Sequence, residues 1–523
     1  MKKLLCIVFA LIFVTVSIIP AFASQGFDPG HTPLVVVSGM GSLPLIADKG
    51  LPTEKQVWPL VIDKNALALA AVLGLGASAV TLNINKLANA LIPVLNKTFE
   101  PAACNADGDS KYNVTVPLFP KSMAFYPDFV SQSSSSERGL LHTACDALGA
   151  DYVYFFKYDW RLDPLVNADA LNVLIQTALR ETGQKKVDLA IASSGGNQAL
   201  AYFAKYGGAA VESCVFICSV FDGSLLAGDI FNKRIGLDKN ALKVYAKAST
   251  GTSDIAGSLE MTALDIFDCV GGLGKTVNLI NKEIDKLIPR IYNEVLAKNF
   301  CTYPGLWAEI RENDFEAAKS ALLDPVVNAK LIARIDDFHY NVRVKRQAII
   351  NNIMKQGVQV AFCSNYNSYP APFYPSANQQ SDDTVESACT SAGAYFAPLG
   401  STLPAGYVQK NYLDGKNYIS PDNIIDASAS MFPDKVWFFK DLGHVGCPYK
   451  SEHSAFVLWL LWQDKQPTVW TDAAHPQFMG THDDGQTLYP LAGTPLIKPN
   501  KQKILLCVFD RVLIFKKSLA ALL

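Results

Sequence analysis

Ala192-Ser193-Ser194-Gly195-Gly196 closes a mostly apolar run, Val187–Ile191, and opens a helix-like pattern. A serine on a strand–turn–helix of this kind has its hydroxyl held out of the sheet, and the start of the helix aims backbone N–H groups at the same point. That is the setting of a nucleophile. A hydrolase elbow reads small-x-Ser-x-small, because the backbone is strained and neighbouring side chains would clash. With Ser194 as the nucleophile, the small positions are Ala192 and Gly196. With Ser193 they are Ile191 and Gly195, and Ile191 is too large. The motif therefore favours Ser194. The competing reading is a glycine-rich turn that binds an anion through its amides.

A serine nucleophile needs an oxyanion hole, a base and an acid. Val35-Val36-Val37-Ser38-Gly39-Met40-Gly41-Ser42 runs from a strand into a glycine loop. Amides from Met40 in this loop and from Gly195 after the nucleophile would converge on a developing alkoxide. Of the seven histidines, His444 follows the apolar run Val436–Phe439, whereas His453 falls in a helical pattern and reads as structural. The base is therefore assigned to His444. The acid should lie between nucleophile and base, after another strand. Val358–Cys363 is followed by a long loop ending in Ser381-Asp382-Asp383-Thr384-Val385, where either aspartate could hold the imidazole. The order Ser…Asp…His is that of the α/β-hydrolases.

The elements that must position these residues alternate. Leu34–Val37, Tyr152–Phe156, Val187–Ile191, Cys214–Ser219, Val358–Cys363 and Val436–Phe439 read as buried parallel strands, with helical patterns at Ala168–Glu181 and Gln198–Lys205. The expected fold is α/β, a mostly parallel doubly wound sheet whose ligand site lies beyond the carboxyl ends of its strands. Two insertions interrupt it. One spans about 55–130 and includes Asn85–Phe99, with Leu87, Leu91, Val94, Leu95 and Phe99 at helical spacing. It reads as a lid or as the core face of a cap helix. The other spans about 225–350, with helical patterns at Thr276–Leu287 and Ala317–Ile335. The main domain is expected over 24–465, followed by a proline-rich and polar segment and an apolar tail, Ile504–Leu523, broken by four charges.

Residues 1–23 carry Lys2 and Lys3, an apolar run and Ala21-Phe22-Ala23, the pattern of a cleaved secretory signal peptide, so the chain is expected to be exported. A formal net charge of −2, with acids and bases mixed, gives no reason to expect a nucleic-acid partner. Ten of the eleven cysteines lie beyond residue 23, and none stands at zinc-binding spacing, so neither metal nor cofactor is expected. Cys214 and Cys218, roughly 13 Å apart along a strand, are too distant to bond to each other. Asn96-Lys97-Thr98 and Asn113-Val114-Thr115 are glycosylation sequons.

Tyr158-Asp159-Trp160-Arg161, after the strand at 152–156, resembles a block characteristic of the lecithin:cholesterol acyltransferase family of α/β-hydrolases. The glycine loop resembles that family's oxyanion segment, with Ser38 in place of a proline. Trp58 looks like its lid tryptophan, and Phe221–Ser224 like the turn after the next strand. Ser381–Val385 is similar to its acid loop, which aligns Asp382 with the acid, and His444 aligns with the base. Ala192 and Ser193 stand where relatives carry a small residue and histidine, Asp383 replaces a glycine and Glu386 a proline. The resemblance covers about 33–462. It implies an α/β-hydrolase fold with helical lid and cap, and acyl-ester chemistry on a lipid, with water or an alcohol as acceptor. It also implies contact with a membrane or lipoprotein surface through the lid. Asp159 and Arg161 are expected to prop the site as an ion pair, with Tyr158 and Trp160 lining an acyl pocket. A carboxylesterase for non-lipid esters, and an inactive binding protein on the same fold, are the alternatives.

Overall fold

The apolar runs form strands that are buried on both faces. The computed structural model describes residues 31–491 except 42, 60–84, 133–135, 251–264, 266–267, 414 and 483–485. The signal-peptide segment, part of the first insertion and the tail lie outside the described residues. Eight strands form one sheet: β1 (Leu34–Val37), β2 (Val153–Phe156), β3 (Val187–Ala192), β4 (Val211–Ile217), β5 (Gln359–Tyr366), β6 (Val436–Lys440), β7 (Phe478–Thr481) and β8 (Leu488–Pro490). Their spatial order is β8-β7-β6-β5-β4-β3-β1-β2. All pairings are parallel except β7 with β8. Every residue of β1, β2, β3 and β5 is buried, as a sheet covered on both faces requires.

Two groups of helices supply that cover. Helix α1 (Pro164–Thr182) packs beside α2 (Gly195–Tyr206), which also meets α3 (Arg346–Lys355). A second pair, Ser136–Leu148 and Glu452–Leu461, packs together, and the latter lies on β3, β4 and β5. Asp163 caps α1 by accepting the Leu165 N–H at 2.9 Å, with Pro164 in the first turn and Gly183 in the left-handed region after the end.

Two expectations change. The sheet continues past residue 465, because β7 docks beside β6 within a stretch whose composition reads as loop. The helical pattern over Ala317–Ile335 is two helices, Glu312–Leu322 and Ala329–Phe338. Between them Pro325 disfavours helix at Asp324, whose carboxylate accepts the N–H groups of Val326 and Val327 at 2.8 and 2.9 Å. Asn85–Phe99 is a helix, and its Ala88 and Ile92 form a small core with Val295, flanked by Leu95, Phe99 and Leu287. Its apolar face therefore packs on the second insertion, where Gly272–Ile291 is helical. The nine described cysteines are free thiols.

Candidate active site

The register of the sheet brings the carboxyl ends of its central strands level. Val37 lies opposite Ile191, and Ala192 opposite Ile217. The chain beyond each end forms one rim. β3 ends at Ala192, and the next residue, Ser193, has φ of +52°, the left-handed region that L-residues seldom occupy. Its N–H donates to the Ile217 carbonyl at 3.1 Å, and its carbonyl accepts from Gly196 at 3.0 Å and Val220 at 3.1 Å. These bonds hold the turn. Ser194 is already helical, with φ −57° and ψ −15°.

His444 follows β6. Its Nε2 lies 2.8 Å from Ser193 Oγ, and its Nδ1 lies 2.8 Å from Asp382 Oδ2. A carboxylate accepting from Nδ1–H keeps the proton off Nε2, which can then accept the serine proton. The serine that meets the imidazole is therefore Ser193, not the expected Ser194. The size argument against Ser193 fails because Ile191 is still inside the sheet, fully buried between Val37 and Phe216. Of the two small positions in that register, only the one two residues after the serine needs a glycine. A Cβ at Gly195 would stand 2.9 Å from the carbonyl oxygens of both Val37 and Ser38.

With Ser193 at the turn, the candidate oxyanion donor shifts from Gly195 to Ser194, the N-cap residue of α2, whose N–H has no intrahelical acceptor. Met40 sits half-buried in the glycine loop against the main core. Two side chains fix that loop: Lys157, itself buried, donates to the Gly39 carbonyl at 3.1 Å, and Trp58 Nε1 donates to the Gly41 carbonyl at 3.0 Å. Nothing in the sequence marked Lys157, because a lysine after a strand is ordinarily solvated.

The aspartate alternative resolves geometrically. Asp382 is fully buried. Its Oδ1 accepts the N–H groups of Thr384 at 3.1 Å and Val385 at 2.7 Å, which leaves Oδ2 for the imidazole. Asp383 accepts the backbone N–H of His444, and burial raises its carboxyl above the usual range. One aspartate thus orients the ring and its neighbour holds the loop. His453 is buried, 2.9 Å from Cys447 Sγ, and burial pushes its imidazole down to about 3. It is a neutral core residue.

The Tyr158–Arg161 block braces the site. Arg161 is fully buried and forms a two-pronged pair with Asp159, at 3.0 Å through Nε and 2.6 Å through Nη2. It also donates to the Ala102 carbonyl at 2.6 Å and to Ser110 Oγ at 3.0 Å, tying the first insertion to the sheet. Trp160 meets Trp58 edge to face at 5.3 Å, and Tyr158 stacks on Phe156 at 5.6 Å; both block residues are buried.

Two buried charges that the sequence gave no reason to select lie behind the elbow. Glu309 hydrogen-bonds to the side chains of Ser194 and Asn197, and burial pushes its carboxyl up to about 7. Arg343 donates to Asn197 Oδ1 and to the carbonyls of Ala308 (2.6 Å), Val220 (3.1 Å) and Phe221. Glu309 stands in the apolar run Tyr303–Ile310, far in sequence from its partners. The arrangement as a whole can activate a hydroxyl and present backbone donors to an oxyanion. Compared with family models and with curated proteins, the chain matches none.

Proposed function

We propose that the chain is an α/β-hydrolase that forms an acyl-enzyme from a lipid ester. The observation that carries this reading is the continuous line Asp382–His444–Ser193, 2.8 Å at each link, on a left-handed turn at the carboxyl edge of a parallel sheet. Ser193 Oγ attacks the ester carbonyl while its proton passes to His444 Nε2. The tetrahedral oxyanion is met by the N–H of Ser194 and one from the glycine loop. Collapse expels the alcohol, which takes the proton from His444. Water or a second alcohol then enters by the same route, and Ser193 is regenerated.

The choice of a lipid ester rests on the resemblance carried by Tyr158–Arg161. Export rests on the pattern of residues 1–23. A serine-reactive fluorophosphonate tests the reaction: it should label Ser193. Ester cleavage that rises sharply when the substrate passes from monomers to micelles would support the lipid reading. Equal rates on monomers would favour a soluble carboxylesterase, and no labelling would remove the enzyme reading.

A further inference from the structure

The second insertion reaches the elbow through one acid. Glu309 follows the short helix Pro304–Trp307, and its carbonyl accepts the Ser224 N–H at 2.7 Å, which anchors the segment. Its side chain points to the residue after the candidate nucleophile. Ser194 occupies the N-cap position of α2, where a serine ordinarily bonds to its own helix, yet it makes no side-chain cap bond there. Its hydroxyl is committed to Glu309 instead. Asn197, one turn into α2, also bonds to Glu309, and Arg343 donates to the Asn197 amide oxygen. Glu309 and Arg343 both belong to the 225–350 insertion, so this segment grips the first turn of α2 at two side chains.

We propose that Glu309 is a positioning residue for the oxyanion hole: it holds the Ser194 side chain and so aims the Ser194 N–H at the reacting oxygen. This rests on the acyl-enzyme reading above. The hydroxyl and the N–H belong to one residue, so turning the side chain loose frees the peptide plane that carries the donor. An oxyanion donor acts only in the transition state, so misaiming it lowers kcat and leaves KM in place. Burial pushes the Glu309 carboxyl up, opposed by its bonds to Ser194 and Asn197 and by the charges of Arg343 and His444. Glutamine keeps the length of the side chain and an acceptor oxygen for the Ser194 hydroxyl, so it is a conservative stand-in.

The test measures kcat and KM on a soluble p-nitrophenyl ester, with fluorophosphonate labelling alongside. Loss of a whole oxyanion donor costs about 10²–10³ in rate, so Glu309→Ala and Ser194→Ala should each lower kcat roughly 10- to 100-fold with KM nearly unchanged. Glu309→Gln should stay within about threefold of the wild type, and the double variant E309A/S194A should be no slower than the slower single one. The inference is overturned if Ser194→Ala keeps wild-type kcat, if Glu309→Gln is as slow as Glu309→Ala, or if the double variant shows multiplied losses. Should Glu309→Ala fail to fold, Ser194→Ala and Glu309→Gln decide by the same criteria. A wild-type protein that neither labels nor cleaves esters defeats the acyl-enzyme reading, and this inference with it; a labelled wild type with unaffected variants defeats the inference alone.

Discussion

Substituting the two adjacent serines separately tests the site at its most specific point. Ser193→Ala removes the only one of the pair within 2.8 Å of His444 Nε2. Deleting a triad nucleophile typically costs about 10⁴–10⁶ in kcat, or roughly 5.5–8 kcal/mol of transition-state stabilisation, leaving what the oxyanion hole and binding supply. Ser194→Ala leaves Ser193, His444 and Asp382 in line and removes only the tether to Glu309. It should retain labelling at Ser193 and keep most of the rate enhancement. The assay is fluorophosphonate labelling with tandem mass spectrometry, which resolves adjacent residues in one peptide, together with single-turnover ester cleavage. Asp382→Asn is the internal control. It keeps the shape of the loop but favours the wrong imidazole tautomer, at a cost of about 10⁴ in kcat. Label on Ser194, or loss of labelling in Ser194→Ala with retention in Ser193→Ala, would refute the assignment and restore the register expected from the motif.

Gly195→Ala would place a Cβ 2.9 Å from the backbone carbonyl oxygens of Val37 and Ser38, where β1 passes into the glycine loop. Because a misplacement of about 1 Å can cost roughly 10²-fold, kcat should fall by about that factor, with a lower Tm in calorimetry. Arg161→Ala leaves Asp159 without its two-pronged partner and frees the segment around Ala102 and Ser110. Denaturant unfolding should show a loss of about 3–5 kcal/mol, and limited proteolysis should cut faster near residues 100–112. Burial raises the Asp188 carboxyl from 3.8 to about 8, against the hydroxyl bond from Thr32. The folded state thus binds this proton more tightly than the unfolded one, and the stability it confers is lost as pH climbs from about 4 to about 8. Asp188→Asn should therefore match the wild type near pH 4 and exceed it by about 2–5 kcal/mol at pH 8, measured by urea unfolding at both values. Equal differences at the two values would show that Asp188 does not titrate in that window.

Much of the scaffold is readable in one dimension because buried parallel strands are written as unbroken apolar runs. β1 coincides with its predicted limits, and β3 and β6 extend theirs by one residue each. The chain order of serine, aspartate and histidine, each after a strand, places the candidate site on one rim before any contact is known, since parallel strands end on the same side. β7 and β8 were not legible. Their four and three residues owe their burial or pairing to the edge they join, and their surroundings are proline-rich.

What the sequence by itself determined is therefore the side of the sheet and the kinds of groups that meet there. Which of two adjacent residues faces inward was decided by backbone geometry. Ser193 rather than Ser194 faces His444 because the strand ends at Ala192 and the backbone turns left-handed at the very next residue. Asp382 rather than Asp383 reaches the imidazole because two backbone N–H groups pin its other oxygen. Glu309 and Arg343 belong to the site only because a segment more than a hundred residues away folds back onto the start of α2. Apolar periodicity is a local property and survives in the sequence. The direction of one side chain depends on a single φ angle and on partners distant in the chain, and those exist only once the sheet has assembled.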